Sequence, residues 1–288
     1  MTVDPDQTSI AAAGLDLAYQ TKTIVHDVGL SIAKGTVTTL VGPNGSGKST
    51  LLKGLGRLLD PLGGQVLLNG RDIREMRTRD IARRLSILPQ GPVVPEGLNV
   101  HELVAYGRAP HQGLFGLTTE EDRAAVEHAM AMTGVAPWRD TLVDALSGGQ
   151  RQRVWIAMTV AQQTQIMFLD EPTTYLDIAH QLDVLELLRK LNRAHGRTIV
   201  MVLHDLNLAA RYSDRIVALR DGRIVADGAP RDVITPSILH RVFEIEAEIH
   251  DDPVSGCPWF VPRQIVPAQN AEEQIVMERS VPQSITSG

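Results

Sequence analysis

The sequence predicts an α/β fold, a mostly parallel sheet with helices on its faces, interrupted by a helical insert. Three observations carry that reading. Beyond Gln163, short apolar runs alternate with helical stretches: 166–169, 178–194, 198–203, 206–212 and 216–219. Alternation of this kind builds parallel sheets covered by helices. Near the N-terminus, the β-rich run 36–41 leads into a glycine-rich loop and then a helical pattern. Between Val93 and Gln163 the character changes, and helical spacing dominates.

The elements follow in order. Residues 1–9 form a polar leader, and from Ile10 to Val41 β-rich runs are punctuated by Gly29 and Gly35. The stretch 49–59 reads as a helix with Leu51, Leu52, Leu55, Leu58 and Leu59 on its apolar side. A turn at 61–64 and a strand at 65–68 come next. Helices are expected at 101–107 and 118–133, the second with Thr118 and Glu121 at capping-box spacing. A third helix opens at Ser147. One domain therefore spans 10–263, with its core in 10–92 and 164–263 and its helical insert at about 93–163. Residues 264–288 are polar with little period and read as a tail.

Composition bounds the function. The 288 residues suit one large domain with an inserted subdomain, and 43% hydrophobic content supports a packed core. A net charge of -6 gives no general electrostatic reason to bind nucleic acid. The single Cys257 leaves no internal disulfide and fits a reducing compartment. No apolar run approaches the roughly 18 residues of a membrane span, and Thr2 to Asp6 lack the basic-then-apolar order of a signal peptide. A soluble cytoplasmic protein is expected, with any membrane association arising through a partner.

Gly42, Pro43, Asn44, Gly45, Ser46, Gly47, Lys48 and Ser49 fit GxxxxGK[ST] between a strand and a helix. The glycines let backbone N–H groups curl around phosphate oxygens, and the following helix presents its positive end to them. In this motif the Lys48 position reaches the phosphates, and the Ser49 position ligates Mg²⁺. Downstream, Ile166 to Leu169 is a continuous apolar run with Asp170 and Glu171 at its C-terminal end, where open α/β sheets bind ligands. An Asp there can hold the Mg²⁺ water shell, and a Glu can take a proton from an attacking water. Taken alone, the pair reads equally well as two solvated loop acids. Ser147, Gly148, Gly149 and Gln150 follow Leu146 and open a helix, with Ser147 and Gln150 again at capping-box spacing. That helix start is either a well-capped turn or a second anion site. Two anion sites with one nucleotide suggest a sandwich in which this segment faces the phosphates held by another copy.

With these residues in place, the chain resembles the nucleotide-binding subunits of ABC transporters over about residues 10–263. The resemblance implies a P-loop NTPase core, RecA-like, with an added antiparallel β subdomain and a helical signature subdomain. It implies that Tyr19 stacks on adenine and that Gly42 to Thr50 bind ATP. It makes Gln90 a ligand of Mg²⁺ and water, and Asp170 and Ser49 the Mg²⁺ site. Glu171 becomes the catalytic carboxylate, with Lys48, Gln90 and His204 beside it. Leu176 and Asp177 resemble a dimer-contact loop, and His204 resembles a switch histidine sensing the γ-phosphate. The wording of 94–100 and 107–112, with Thr173 to Asp177 and His204 to Asn207, is similar to the ATPases of ferric-siderophore importers of the ferric-enterobactin type. Haem and vitamin B12 importers border that group.

The resemblance therefore implies a homodimer of ATP-binding subunits on a transmembrane permease pair, at the cytoplasmic face of the membrane. An extracytoplasmic siderophore-binding protein serves the same system, and cargo does not touch this chain. A permease helix is expected in the groove near Gln90 and residues 95–110. The rival readings are a soluble ABC ATPase of the iron–sulfur assembly type and a module that holds ATP without turnover.

Overall fold

The computed structural model describes residues 7–113 and 117–266. A long hairpin comes first, β1 (Thr8–Tyr19) and β2 (Lys22–Ala33), followed by β3 (Val37–Val41) and α1 (Lys48–Leu55). Then come β4 (Gly63–Leu68), β5 (Arg71–Asp72), α2 (Thr78–Ala82) and β6 (Leu85–Leu88). Three helices follow without an intervening strand: α3 (Val100–Tyr106), α4 (Glu120–Thr133) and α5 (Gly148–Ala161). The alternating half comprises β7 (Ile166–Leu169), α6 (Ile178–His195), β8 (Thr198–Val202), α7 (Leu206–Tyr212) and β9 (Arg215–Arg220). The described chain closes with β10 (Arg223–Gly228), α8 (Pro230–Val233), α9 (Pro236–Phe243), β11 (Ile245–Asp251) and β12 (Pro258–Ile265).

The central sheet has six strands in the order β10-β9-β3-β8-β7-β6. All pairings from β9 to β6 are parallel, and β10 closes one edge antiparallel. Strands β2, β1, β4 and β5 make a separate antiparallel sheet, and β11 pairs with β12. The parallel strands are buried on both faces, and their side chains alternate between two cores as a period of two demands. Val37, Val41, Met167, Leu169, Ile199 and Met201 face the core shared with α3 to α7. Leu40, Ile166, Phe168, Val200 and Val202 face the core shared with α1 and the antiparallel sheet. The central sheet is thus clamped between a helical layer and a β layer. No described helix is long and apolar enough to cross a membrane.

Several expected boundaries move. Thr8 and Ser9, placed in the leader, belong to β1, and Gln264 and Ile265, placed in the tail, belong to β12. Residues 1–6 and 267–288 lie outside the described residues. Helix α1 ends at Leu55 rather than Leu59, because Gly54 and Gly56 weaken it and Gly56 caps it. Leu58 is consequently exposed. The capping box of α4 is Thr119 with Asp122, one residue later than expected.

Candidate functional site

Four adjacent parallel strands deliver the candidate residues to one edge of the sheet. Gly42 follows β3, Gln90 follows β6, Asp170 and Glu171 follow β7, and His204 lies just beyond β8. In sheet order these strands are β3-β8-β7-β6. Parallel pairing sends every C-terminal end the same way, so residues over 160 positions apart in sequence converge.

The loop after β3 is shaped by glycine at two points. Gly42 has φ 150°, and a Cβ there would stand 2.2 Å from the Leu219 carbonyl oxygen and 2.7 Å from Ser46 Oγ. Gly47, at φ 98°, caps α1 in the left-handed region. Pro43 and Asn44 complete the curl with Gly45. Lys48 lies almost fully buried, and its Nζ donates to the carbonyls of Gly42 and Pro43, both at 2.9 Å. Burial pulls the Lys48 pKa down, while the charges of Glu171 and Asp170 raise it. Ser46 Oγ is buried with no partner at all. A hydroxyl left so is costly unless something else completes it, and a phosphate oxygen in the cradle would do so.

Beside the loop, Ser49 Oγ donates to Asp170 Oδ1 at 2.7 Å. Burial pushes the Asp170 carboxyl up, opposed by the Ser49 hydrogen bond, and the Glu171 charge raises it further. A buried acid beside a hydroxyl suits a hard cation such as Mg²⁺. Among the described residues no three His, Cys, Asp or Glu side chains converge as a metal site. A cation here would therefore draw on Ser49, Asp170 and substrate oxygens, while the Gln90 amide, expected as a further ligand, is bonded to Glu171.

Glu171 is the most constrained residue of the edge. Its φ is 54°, a left-handed conformation that costs about 1–3 kcal/mol in a non-glycine residue. Two donors and a neighbouring imidazole hold its carboxylate. Gln90 Nε2 reaches Oε2 at 2.7 Å, Thr174 Oγ1 reaches Oε2 at 2.9 Å, and His204 Nε2 lies 2.7 Å from Oε1. The Glu171 side chain is 10% exposed and that of His204 44%, and Gln90 is exposed as well, so the cluster opens outward on both. Thr174 was not anticipated; its only signal was its i+3 spacing from Glu171.

A cleft of about 360 Å³ joins these parts, lined by Tyr19, Asn44, Gly45, Lys48, Ser49, Thr50 and Glu171 among others. Tyr19 stands at its side, 44% exposed. Ser147, Gly148, Gly149 and Gln150 do not line this cleft. They cap α5 as a capping box, with Ser147 and Gly148 exposed and Gly149 buried. Gly149 abuts His180, where a Cβ would stand 2.2 Å from the ring. His180 in turn bonds Asp177, the N-cap of α6, at 2.7 Å. Leu176, Asp177 and the start of α5 thus form one outward-facing unit, joined by the fully exposed Tyr175 and the exposed Ile178. The role of His180 in this unit was not legible in sequence.

Similarity to known proteins agrees with this geometry. The model of the ABC transporter family matches residues 25–174. The iron(3+)-hydroxamate import ATP-binding protein FhuC of Bacillus subtilis is 52% identical over 250 residues, 87% of this chain and 93% of that one. The ferric enterobactin transport ATP-binding protein FepC of Escherichia coli is 50% identical over 248 residues, 86% of this chain and 92% of that one. Among solved structures, an ABC transporter of metal-chelate type in an inward-facing conformation superposes with a TM-score of 0.78. It is 25% identical, over 90% of this chain and 98% of that one. By these matches, this chain belongs to the ABC transporter family.

Proposed function

We propose that the chain binds and hydrolyses ATP to energise import of a ferric siderophore through a membrane permease. The observation that carries the reading is the Glu171 cluster. A strained carboxylate, held by Gln90, Thr174 and His204, stands at the end of the phosphate cleft. The cargo rests on the close relatives, which are named for iron-hydroxamate and enterobactin transport.

The loop N–H groups, Ser46 Oγ and Lys48 Nζ bind the phosphates of ATP, and Tyr19 stacks on the base. Lys48 exchanges its carbonyl partners for phosphate oxygens at no large reorganisation, because its Nζ already sits in the cradle. Ser49, Asp170 and Gln90 would hold Mg²⁺, whose charge would neutralise the phosphate oxygens. Glu171 orients a water and accepts its proton. Gln90 and Thr174 both donate to Oε2, while Oε1 faces only His204 and keeps an acceptor site for the water. His204, exposed and facing Glu171 Oε1, is the one placed to respond to the substrate.

Ser147 to Gln150 lie outside the cleft with an exposed helix start, so a second copy supplies them to complete each site. Two subunits therefore bind head to tail on a permease pair at the cytoplasmic face of the membrane. An extracytoplasmic binding protein delivers cargo that never touches this chain.

Uptake of labelled ferric siderophore tests the reading, in iron-starved cells whose other iron importers are deleted. Wild type and Glu171→Gln are compared at matched protein levels. Uptake should collapse in the variant. Normal uptake would reject iron cargo, and haem and vitamin B12 uptake would then be measured in the same strains.

A further inference from the structure

At the opposite edge of the central sheet lies a second cavity, of about 310 Å³, lined by His128, Gln163, Thr164, Gln165, His195 and Arg197 with two apolar residues. Gln165 immediately precedes β7 and Arg197 immediately precedes β8, so the cavity sits under the strand starts and away from the nucleotide cleft. His128 comes from α4 and His195 ends α6. The volume is roughly ten times one water's share of the liquid.

Arg197 forms the floor and is 9% exposed. The one described polar contact of its guanidinium is Nη1 to the Met167 sulfur at 3.5 Å, a weak acceptor. Among the described residues no carboxylate lies in ion-pair distance of it, and none lines the cavity. Burial lowers its pKa, with no opposing charge to offset the effect. The neighbouring Arg108 shows how this fold treats a buried guanidinium it intends to neutralise. Arg108 is 2% exposed and pairs with Asp122 at 2.8 Å, and also donates to Ala161 O and to Gln163 Oε1. A buried cation without a counter-charge is costly, and such groups are ordinarily paired. Of the helix-end carbonyls nearby, Ala161 O is taken by Arg108 and Asn192 O by the Gly196 N–H.

We propose that this cavity binds a small oxyanion of the phosphate class. Arg197 holds it from below, and His128, His195 and the Gln163 and Gln165 amides close the rim. The occupant touches α4, within the helical segment, and α6, within the core, and so fastens one to the other.

The test uses the full chain with Lys48→Ala, which disables the phosphate loop and leaves this cavity alone. Thermal unfolding is compared in sodium phosphate and sodium chloride at equal pH and ionic strength, with and without Arg197→Met or Arg197→Lys. Phosphate should raise the midpoint of the parent and of the Lys variant by a few degrees more than that of the Met variant. An equal rise in all three would mark general salting by phosphate and overturn the proposal, as would no rise in any. A second measurement needs no variant: crystals soaked in selenate should show an anomalous peak at the Arg197 guanidinium. An empty cavity in those crystals would overturn it too.

Discussion

Replacing Gly149 with alanine separates packing from nucleotide contact in the signature helix. A Cβ at Gly149 would lie 2.2, 2.6 and 2.9 Å from three atoms of the His180 ring, where ordinary contact begins at 3.4 Å. The ring has to retreat by about 1 Å and pull away from Asp177, which caps α6. Two effects on stability nearly cancel. Alanine is favoured over glycine within a helix by up to about 1 kcal/mol, while the lost His180–Asp177 pair is solvent-exposed and contributes little. The fold should therefore survive with its urea midpoint almost unchanged. Function should not, because the displaced unit carries Leu176, Asp177 and the signature start. Misplacement by about 1 Å can lower turnover about 10²-fold. The assay is ATP turnover of the subunit with its permease, beside urea unfolding. Turnover should drop in Gly149→Ala and recover in Gly149→Ala/His180→Ala. A double variant as slow as the single one would refute the packing argument and assign Gly149 to the nucleotide side.

Further outcomes follow from individual contacts. Ser46→Ala removes a buried hydroxyl without a partner, so the nucleotide-free protein should gain about 1 kcal/mol in urea while ATP affinity falls roughly tenfold by calorimetry. Tyr19→Ala should raise the KM for ATP about tenfold with little change in kcat, since base–aromatic stacking contributes about 1–3 kcal/mol. Asp122→Asn strands the buried Arg108 and should cost about 3 kcal/mol in urea unfolding. In the wild type, burial pushes the Asp122 carboxyl up, but hydrogen bonds from Thr119 and Arg108 outweigh it and hold its pKa at about 2, below the usual 3.8. A depressed folded pKa adds stability above the unfolded value. That contribution, about 1–2 kcal/mol after screening, should fade between about pH 4 and pH 2 and be missing from the variant's pH profile.

Local patterns were legible in sequence where a short window contains the whole cause. The strand–loop–helix context of Gly42 to Ser49, the buried run before Asp170 and the Ser147–Gln150 capping box all stand as expected. Helix α1 was overextended because its leucine spacing continued past Gly56, and periodicity does not register a glycine cap. The strand β1 read as short runs because register shifts on both sides of Leu15 break its alternation. The hairpin of β11 and β12 went unread, since Pro258 and Pro262 interrupt a weak pattern. Contacts across long separations were beyond reach. Gln90 meets Glu171 over 81 positions, and the missing partner of Arg197 is a fact of packing with no local signature. The resemblance supplied roles for Gln90 and His204 that spacing alone could not.

The central claim is that each nucleotide site is completed by the Ser147–Gln150 segment of a second copy. Sedimentation velocity of purified Glu171→Gln, with and without Mg²⁺ and ATP, tests it most directly, because that variant should bind ATP and turn it over slowly. The account predicts a monomer without nucleotide, a dimer at saturating ATP, and a monomer again when Ser147→Arg is added. A Glu171→Gln protein that stays monomeric with ATP fully bound, or a dimer indifferent to Ser147→Arg, would contradict it.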